Sequence, residues 1–501
     1  MAAVEGRTGP PTYGNWRKPE SAGIGGFGLL GTGLLMASII GVVLAVMLGG
    51  LLAGVIVGVV AAVALLALLV KDRHGRTGVA RIANRVGWIA ARRSGANVYR
   101  SGPLGRTPWG TFQLPGLAAP MTLHEAQDSY GRPFAILHTP ATATYSVVLA
   151  CDPDGASLVD DEQVDRWVAE WGGWLASLGH EPGIRAASVT IETAPDTGSR
   201  LRREVASNLV ADAQPLARDM LAEVVATYPE GSAEVGAWVA LTFAGSIRSG
   251  RRRTPEEMAR DLASRLPGLT HGLAGTGAGS ARPVTAQELC EIVRIAYDPA
   301  VAGLLADAHA DGDVPELSWA DVGPSAAQAS WDSYRHDGAW SRTWSMTSAP
   351  RGEVFSSVLN QLLAPHGDID RKRVTLLFRP LDPGAAGRTV ENDKRNADFR
   401  ISAAQKPSAR ALREARAAEA TAREEARGAG LVNFGLVVTA TVLDAEGLPD
   451  AAAAIDNLSA TARVMLRPVY GSQDSAFAAG LPLGLVMAQH VKVPAEIRSA
   501  L

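Results

Sequence analysis

The chain has 501 residues, with 48 Lys and Arg against 51 Asp and Glu, and its net charge of −3 excludes nucleic-acid binding driven by bulk positive charge. Its two cysteines, Cys151 and Cys290, lie in apolar local contexts, which excludes a disulfide framework or a CxxC site and suits a reducing cytoplasm. The length allows two or more packed domains.

Residues 21–70 carry no charge at all. As one helix they would measure about 75 Å, against a hydrocarbon core of roughly 30 Å. Two helices of about 20 residues fit, over 26–47 and 51–70, with the turn near Gly49-Gly50. This predicts a cytoplasmic N-terminal tail over 1–23 and a two-helix transmembrane hairpin over 24–70. A cleavable signal has one apolar region of about 7–15 residues, and this run is too long and is duplicated. Arg17 and Lys18 precede it; Lys71, Arg73, Arg76, Arg81, Arg85, Arg92 and Arg93 follow it, against Asp72 alone. Basic flanks at both ends predict a multi-pass plasma-membrane protein with both termini cytoplasmic. Neither span holds an ionisable residue, so no proton relay or ion path is expected. Small residues (Gly31, Gly33, Ala37 and Gly41, then Gly54 and Gly58) permit close helix packing.

Residues 71–120 read as a basic juxtamembrane segment and linker. Val79, Ile82, Ala83, Val86 and Ile89 share one helical face and arginines another, as suits an anionic leaflet. Residues 101–120 are rich in Gly and Pro. A first α+β lobe is expected over 121–270. Its strands are predicted at 134–138, 144–151, 187–192 and 237–244, with a helix from Asp160 to Leu178 and helical stretches within 201–227 broken at Pro215. Trp167, Trp171 and Trp174 recur at helical period and read as core. Thr254-Pro255-Glu256-Glu257 is a capping box that opens a further helix.

A second α+β lobe is expected over 271–501. It begins with a Gly-rich hinge at 272–279 and a second capping box, Thr285-Ala-Gln-Glu288, whose helix ends near Tyr297. Strands are predicted at 341–347, 373–379, 432–442 and 463–470, with a helix at 450–462. Residues 403–427, dominated by Ala, Arg and Glu, predict a helical arm facing solvent or a partner. Strand, helix, strand recurs in both lobes, which suggests a pair of ferredoxin-like units.

Motifs that carry chemistry are absent from the sequence. No GxxxxGK[ST] occurs, and Gly275-Thr-Gly-Ala-Gly279-Ser280 lacks the phosphate-binding lysine and reads as a loop. Asp307-Ala-His309-Ala-Asp311-Gly312-Asp313 is the nearest to a metal string, but Ser318 stands where a calcium loop needs an acid; it reads as an acidic loop. Neither HExxH nor GxSxG is found. The cluster Arg248, Arg251, Arg252 and Arg253 could touch DNA or phospholipid, yet Glu256 and Glu257 follow at once and it reads as solvated. No catalytic, cofactor-binding or metal-binding residue is assigned, no cofactor is expected, and the protein is not expected to be an enzyme.

Three stretches carry a family resemblance: the Pro-flanked Tyr13-Gly-Asn-Trp16-Arg-Lys-Pro19 before the paired apolar segment, the stretch 273–299 with Thr285-Ala-Gln-Glu-Leu289, and Leu481-Pro482-Leu483-Gly484. Together they resemble an actinobacterial membrane-protein family of conjugation or type IV-like secretion clusters. The apolar segment resembles PrgI-type inner-membrane subunits, and the soluble region is similar to the non-ATPase N-terminal domain of TraC-type ATPases. In those ATPases a P-loop motor follows; here the resemblance implies the docking module without the motor. It further implies a structural component in a hetero-oligomer, with the lipid bilayer, a separate P-loop ATPase and other secretion subunits as partners. Direct nucleic-acid contact is not expected. A type VII secretion component of EccE type has the same plan and is an alternative, as is a membrane-anchored enzyme with dispersed catalytic residues.

Overall fold

The computed structural model describes residues 13, 14, 16, 28–69, 72, 78–102, 105, 111–153, 155, 159–196, 198–210, 212–227, 233–246, 250–313, 315–350, 352–402 and 406–490. Arg17, Lys18, Lys71, Arg73, Arg76 and Arg248 of the basic stretches, most of the tail over 1–23, and 403–405 of the arm lie outside the described residues.

Gly28–Leu69 (α1) is a single helical element of 42 residues where the sequence predicts two helices, and the break is confined to Gly50 (φ 75°, ψ −176°). That conformation costs a residue without Cβ little. Thr32–Leu66 is long and apolar enough, at a mean hydropathy of 2.7, to cross a membrane. Across the break Gly58 lies 3.8 Å (from an ideal Cβ) from Val42 and Gly41 lies 3.9 Å from Val57, while a Cβ on Gly54 would overlap Val46. Residues 42 and 58 would stand about 24 Å apart on a straight helix. These contacts bridge the break, so α1 bends sharply at Gly50. Gly54→Leu is expected to cost about 1–3 kcal/mol by overpacking and to lower the thermal midpoint of the detergent-solubilised chain. Gly33→Leu, with nothing within 4 Å of its Cβ position, should leave the midpoint unchanged. Equal effects of the two would remove the close-packing explanation.

Gly78–Ser94 (α2) and Val98–Arg100 (β1) lead into an α+β body. Its elements run β2 (Thr122–Gln127), β3 (Pro133–Thr139), β4 (Thr144–Asp152), α3 (Asp161–Leu178), β5 (Ile184–Pro195), α4 (Ser199–Asn208), α5 (Pro215–Thr227), β6 (Ala233–Ala244), α6 (Pro255–His271) and β7 (Ser280–Pro283). Two linking helices follow, α7 (Ala286–Tyr297) and α8 (Val301–Asp311). The same order then returns. It runs β8 (Ala326–Ala329), β9 (Tyr334–His336), β10 (Ala339–Ser348), the short α9 (Asn360–Leu363), β11 (Arg371–Pro380), α10 (Pro383–Ser402), α11 (Ala409–Ala426), β12 (Val432–Val442), α12 (Leu448–Thr461) and β13 (Met465–Pro468). α13 (Gln473–Ala479) and α14 (Met487–His490) end the described chain.

All strands join one antiparallel sheet, in the order β1-β8-β9-β10-β12-β11-β5-β6-β4-β3-β2, with β7 on β4 and β13 on β10. Each half thus lays out a β-α-β-β-α-β unit with its four strands in the spatial order 4-1-3-2 (β7-β4-β6-β5 and β13-β10-β12-β11), extended by a two-strand meander. The halves meet at β5 and β11, where Thr190 faces Thr375 with their hydroxyls 3.2 Å apart. The register shows that the halves correspond residue by residue. Ser146 opposite Thr242 (3.0 Å) matches Ser341 opposite Thr441 (2.7 Å), and Arg282 opposite Ala150 matches Arg467 opposite Ser345. β7 at 280–283 pairs with β4 of the first unit, and α7–α8 follow it before β8. The sheet runs through both units without interruption.

One sheet face is covered by α3 and α6 in the first unit and by α9 and α12 in the second, over Tyr145, Val147, Leu241 and Phe243 and over Trp344, Val438 and Ala440. Trp174 is buried in that core and stacks on Trp171 at 4.8 Å, so the tryptophan stripe is packing. The other face curves around α7, α13 and residues 481–485. Leu137 of β3 and Tyr334 of β9, which the sheet order puts far apart, enter the same apolar cluster there. Across its middle runs a row of buried hydroxyls capped by the chain after β13: Thr375 Oγ1 donates to the Gly480 carbonyl (2.8 Å) and Thr242 Oγ1 to that of Gly484 (2.8 Å). A buried hydroxyl without such a partner would cost about 1–3 kcal/mol.

Candidate interaction site

The residues singled out by sequence for chemistry do not converge. Asp307, His309 and Asp311 sit in helix α8 and not in an acidic loop. Asp307 pairs with Arg202 (2.5 Å) and His309 with Glu291 (3.0 Å). Among the described residues no group of three His, Cys, Asp or Glu side chains could hold a metal. Residues 275–280 connect α6 to β7, with Gly277 against Trp167. Cys151 and Cys290 are buried on different helices and strands; burial pushes their thiols up to about 11 and about 12, the reverse of what a reactive thiolate needs. His336 Nε2 lies 2.8 Å from Ser341 Oγ, and its Nδ1 lies 2.6 Å from the Tyr297 carbonyl. Both side chains are fully buried, and burial, opposed by the Tyr297 carbonyl, lowers the histidine to about 4. This is a neutral tether between β9 and α7 in which the hydroxyl reaches no substrate. Two arginines of the cluster near 251 are neutralised: Arg251 pairs with Glu257 (2.9 Å) and Arg253 with Asp261 (2.7 Å).

A different group of cations is not neutralised in this way. Arg81 and Arg85 lie one turn apart on α2, and with Arg467, Trp331 and Tyr470 they line a cavity of about 480 Å³. Trp331, between β8 and β9, stacks on Tyr470 at 5.6 Å and 19°. The Arg85 guanidinium lies 4.7 Å over the Trp331 ring, and that of Arg467 lies 5.1 Å over Tyr470. Trp88, one turn further along α2, is buried beside Trp331 at 6.2 Å and pins the helix to the sheet edge. The basic amphipathic pattern of α2 was legible in sequence; Trp331, Arg467 and Tyr470, about 250 residues or more downstream, carried no local signal. Asp72, three residues past the end of α1, also lines the cavity.

Residues 20–80 match the model of a family described as a domain of unknown function, DUF8461. No curated protein matches the chain. The matched stretch comprises α1 and the first residues of α2, the portion that leads into this cavity.

The remaining candidate surfaces are two helical pairs inserted at matching positions of the duplicated units, α4–α5 between β5 and β6 and α10–α11 between β11 and β12. The arm expected over 403–427 is the second half of the latter pair. Ala397 and Ala418 are buried, small enough for close helix packing, and Arg400 pairs with Glu414 (2.9 Å). Phe399 and Leu412, near the tip, stay exposed, Phe399 by 70%. On α5, Leu216, Met220 and Val224 form an exposed apolar row at a spacing of four.

Proposed function

We propose that this protein is a non-catalytic inner-membrane docking component of a bacterial conjugation or type IV-like secretion machine, and that its arms recruit a separate P-loop ATPase. In this reading α1 crosses the bilayer twice as a hairpin, with the body and both termini in the cytoplasm. Two contacts support that topology. Tyr13, before α1, exchanges backbone hydrogen bonds with Val354 (2.8 Å each) and donates its hydroxyl to Asp165 (3.0 Å), and Trp16 meets Phe434 edge-on. After α1, Trp88 of α2 is buried against the same body. Two ends held against one body are what a hairpin that re-enters on the side it left requires, and this supports the reading.

The observation that carries the docking role is the pair of inserted arms with exposed apolar residues. Anchoring scaffold and partner at one surface raises their effective concentration, so modest contacts at the arm tips suffice. Phe399→Ser is expected to leave stability within about 0.5 kcal/mol, as for an exposed site, and to reduce co-purification of the ATPase from detergent extracts at least tenfold. Undiminished capture, or an extract in which no machine subunit accompanies the full-length protein, would sink the proposal. Capture of a type VII motor in place of a type IV one would reassign the machine.

A further inference from the structure

The geometry points to the cavity between α2 and β13 as a binding site for the phosphate of an anionic phospholipid headgroup, drawn from the leaflet in which α1 is anchored; this rests on the membrane reading of α1. The first observation is an unpaired buried cation. Arg467 is only 7% exposed, and no carboxylate among the described residues lies within 4.0 Å of it, of Arg81 or of Arg85. The acid at the rim, Asp72, has an interaction of its own. The Arg467 guanidinium is left open to the cavity, and planar guanidinium groups match phosphate oxygens in bidentate fashion.

The duplication supplies an internal control. Arg282 occupies in the first unit the register position that Arg467 occupies in the second, and each is followed by proline on a four-residue strand. Arg282 is met by Glu288 of α7 through an ion pair at 2.7 Å and a hydrogen bond at 2.9 Å. After β13 the chain turns at Tyr470-Gly471 instead and supplies an aromatic ring where the first unit supplies a carboxylate. The protein thus neutralises one copy of this arginine itself and leaves the other facing a cavity.

Position and lining identify the anion. Asp72 is three residues beyond Leu69, within about 10 Å of chain from the end of the apolar span, so the cavity opens at headgroup depth. Trp331, Tyr470 and Trp88 are the ring types that favour this interface. Two exposed arginines on α2 and one buried on β13 can grip a phosphate from two sides, while the rings take up the glycerol and upper acyl carbons.

The test uses full-length protein in a neutral detergent, titrated with dihexanoyl phosphatidylglycerol, dihexanoyl phosphatidylcholine and inorganic phosphate, with tryptophan fluorescence as the readout. Phosphatidylglycerol is expected to saturate the signal. Phosphatidylcholine, whose choline offsets its phosphate, and inorganic phosphate, which lacks the carbon groups, should each bind at least tenfold more weakly. Arg81→Gln with Arg85→Gln, both exposed on α2, should weaken phosphatidylglycerol binding at least tenfold without changing the thermal midpoint, and Arg467→Gln should abolish it. Binding that is unaffected by the α2 pair, or equal for phosphatidylglycerol and phosphatidylcholine, would overturn the proposal. Inorganic phosphate binding as tightly as phosphatidylglycerol would identify a soluble phosphate ligand and likewise overturn it. Alkaline carbonate extraction separates this from the anchoring: wild type and the α2 double variant should both stay in the membrane fraction, and release of the wild type would count against the hairpin rather than the cavity.

Discussion

Gly484→Ala is expected to cost roughly 2–5 kcal/mol. Gly484 has φ +66°, where a side chain adds about 1–2 kcal/mol of strain. Its ideal Cβ would fall on the hydroxyls of both Ser146 and Thr242, the pair that bond each other at 3.0 Å beneath the closing segment. Relieving that clash means lifting 481–485 off the sheet, which exposes the fully buried Leu481 and Leu483 and breaks the bond from Thr242 to the Gly484 carbonyl. Overpacking of this kind typically adds about 1–3 kcal/mol. Guanidinium unfolding of the full chain in detergent, followed by tryptophan fluorescence, reads the loss as a lower midpoint at unchanged slope. An unchanged midpoint would mean that the segment does not close the hydroxyl row as described.

Glu192→Gln is expected to cost about 3–5 kcal/mol at neutral pH, because it leaves two guanidinium groups without their counter-charge. Glu192 Oε1 accepts from Arg371 Nη2 at 2.6 Å, and Oε2 accepts from Arg373 Nε at 2.6 Å and also contacts Arg373 Nη2. Burial by itself would raise this carboxyl; Arg373 and then Arg371 outweigh it and hold the group at about 2, against 4.5 when unperturbed. The folded state thus binds the proton less readily than the unfolded chain. The ion pairs contribute in full above about pH 4.5 and are lost as pH falls towards 2. The difference in stability between wild type and Glu192→Gln should therefore narrow between pH 6 and pH 3. A gap that stays constant over that range would show that charge is not what the site supplies. The matching position across the axis is Leu377 opposite Ser188, so this triad breaks the internal symmetry. The Arg373 guanidinium lies 5.6 Å over Phe477 of α13, which couples the triad to the segment held by Gly484.

Elements with strong local signals were legible from the amino acids in order. The helix over 161–178 has its acids at the start and its tryptophans at helical period, and both capping boxes form as their sequences demand, with Thr254 accepting from Glu257 N–H and Thr285 from Glu288 N–H. The strand at 432–442 is long and apolar enough to be found with its ends in place. Two of the longer helices escaped for a common reason. α8 buries only Leu305 and reads as an acidic loop; α10 is polar along most of its 20 residues, because its buried positions are Ala386, Val390 and Ala397, spaced widely among charges. The three- and four-residue strands β1, β7, β8 and β9 are too short for any alternation to register.

By itself, then, the sequence determined what depends on neighbours within a turn or a strand: the uncharged run with its basic sequel, the caps, the strongly periodic helices and the alternation of the central strands. The tertiary structure alone decided what depends on register between distant segments. Arg282-Pro283 and Arg467-Pro468 are equivalent dipeptides on equivalent strands; the first meets Glu288, six residues on, and nothing near the second in sequence says that it faces Arg81, Arg85 and two aromatic rings. Antiparallel pairing sets the frame for those meetings through hydrogen bonds between strands as far as about 230 residues apart, as Val98 of β1 with Gln328 of β8. The charge that a fold leaves unpaired is a property of that register, and composition does not carry it.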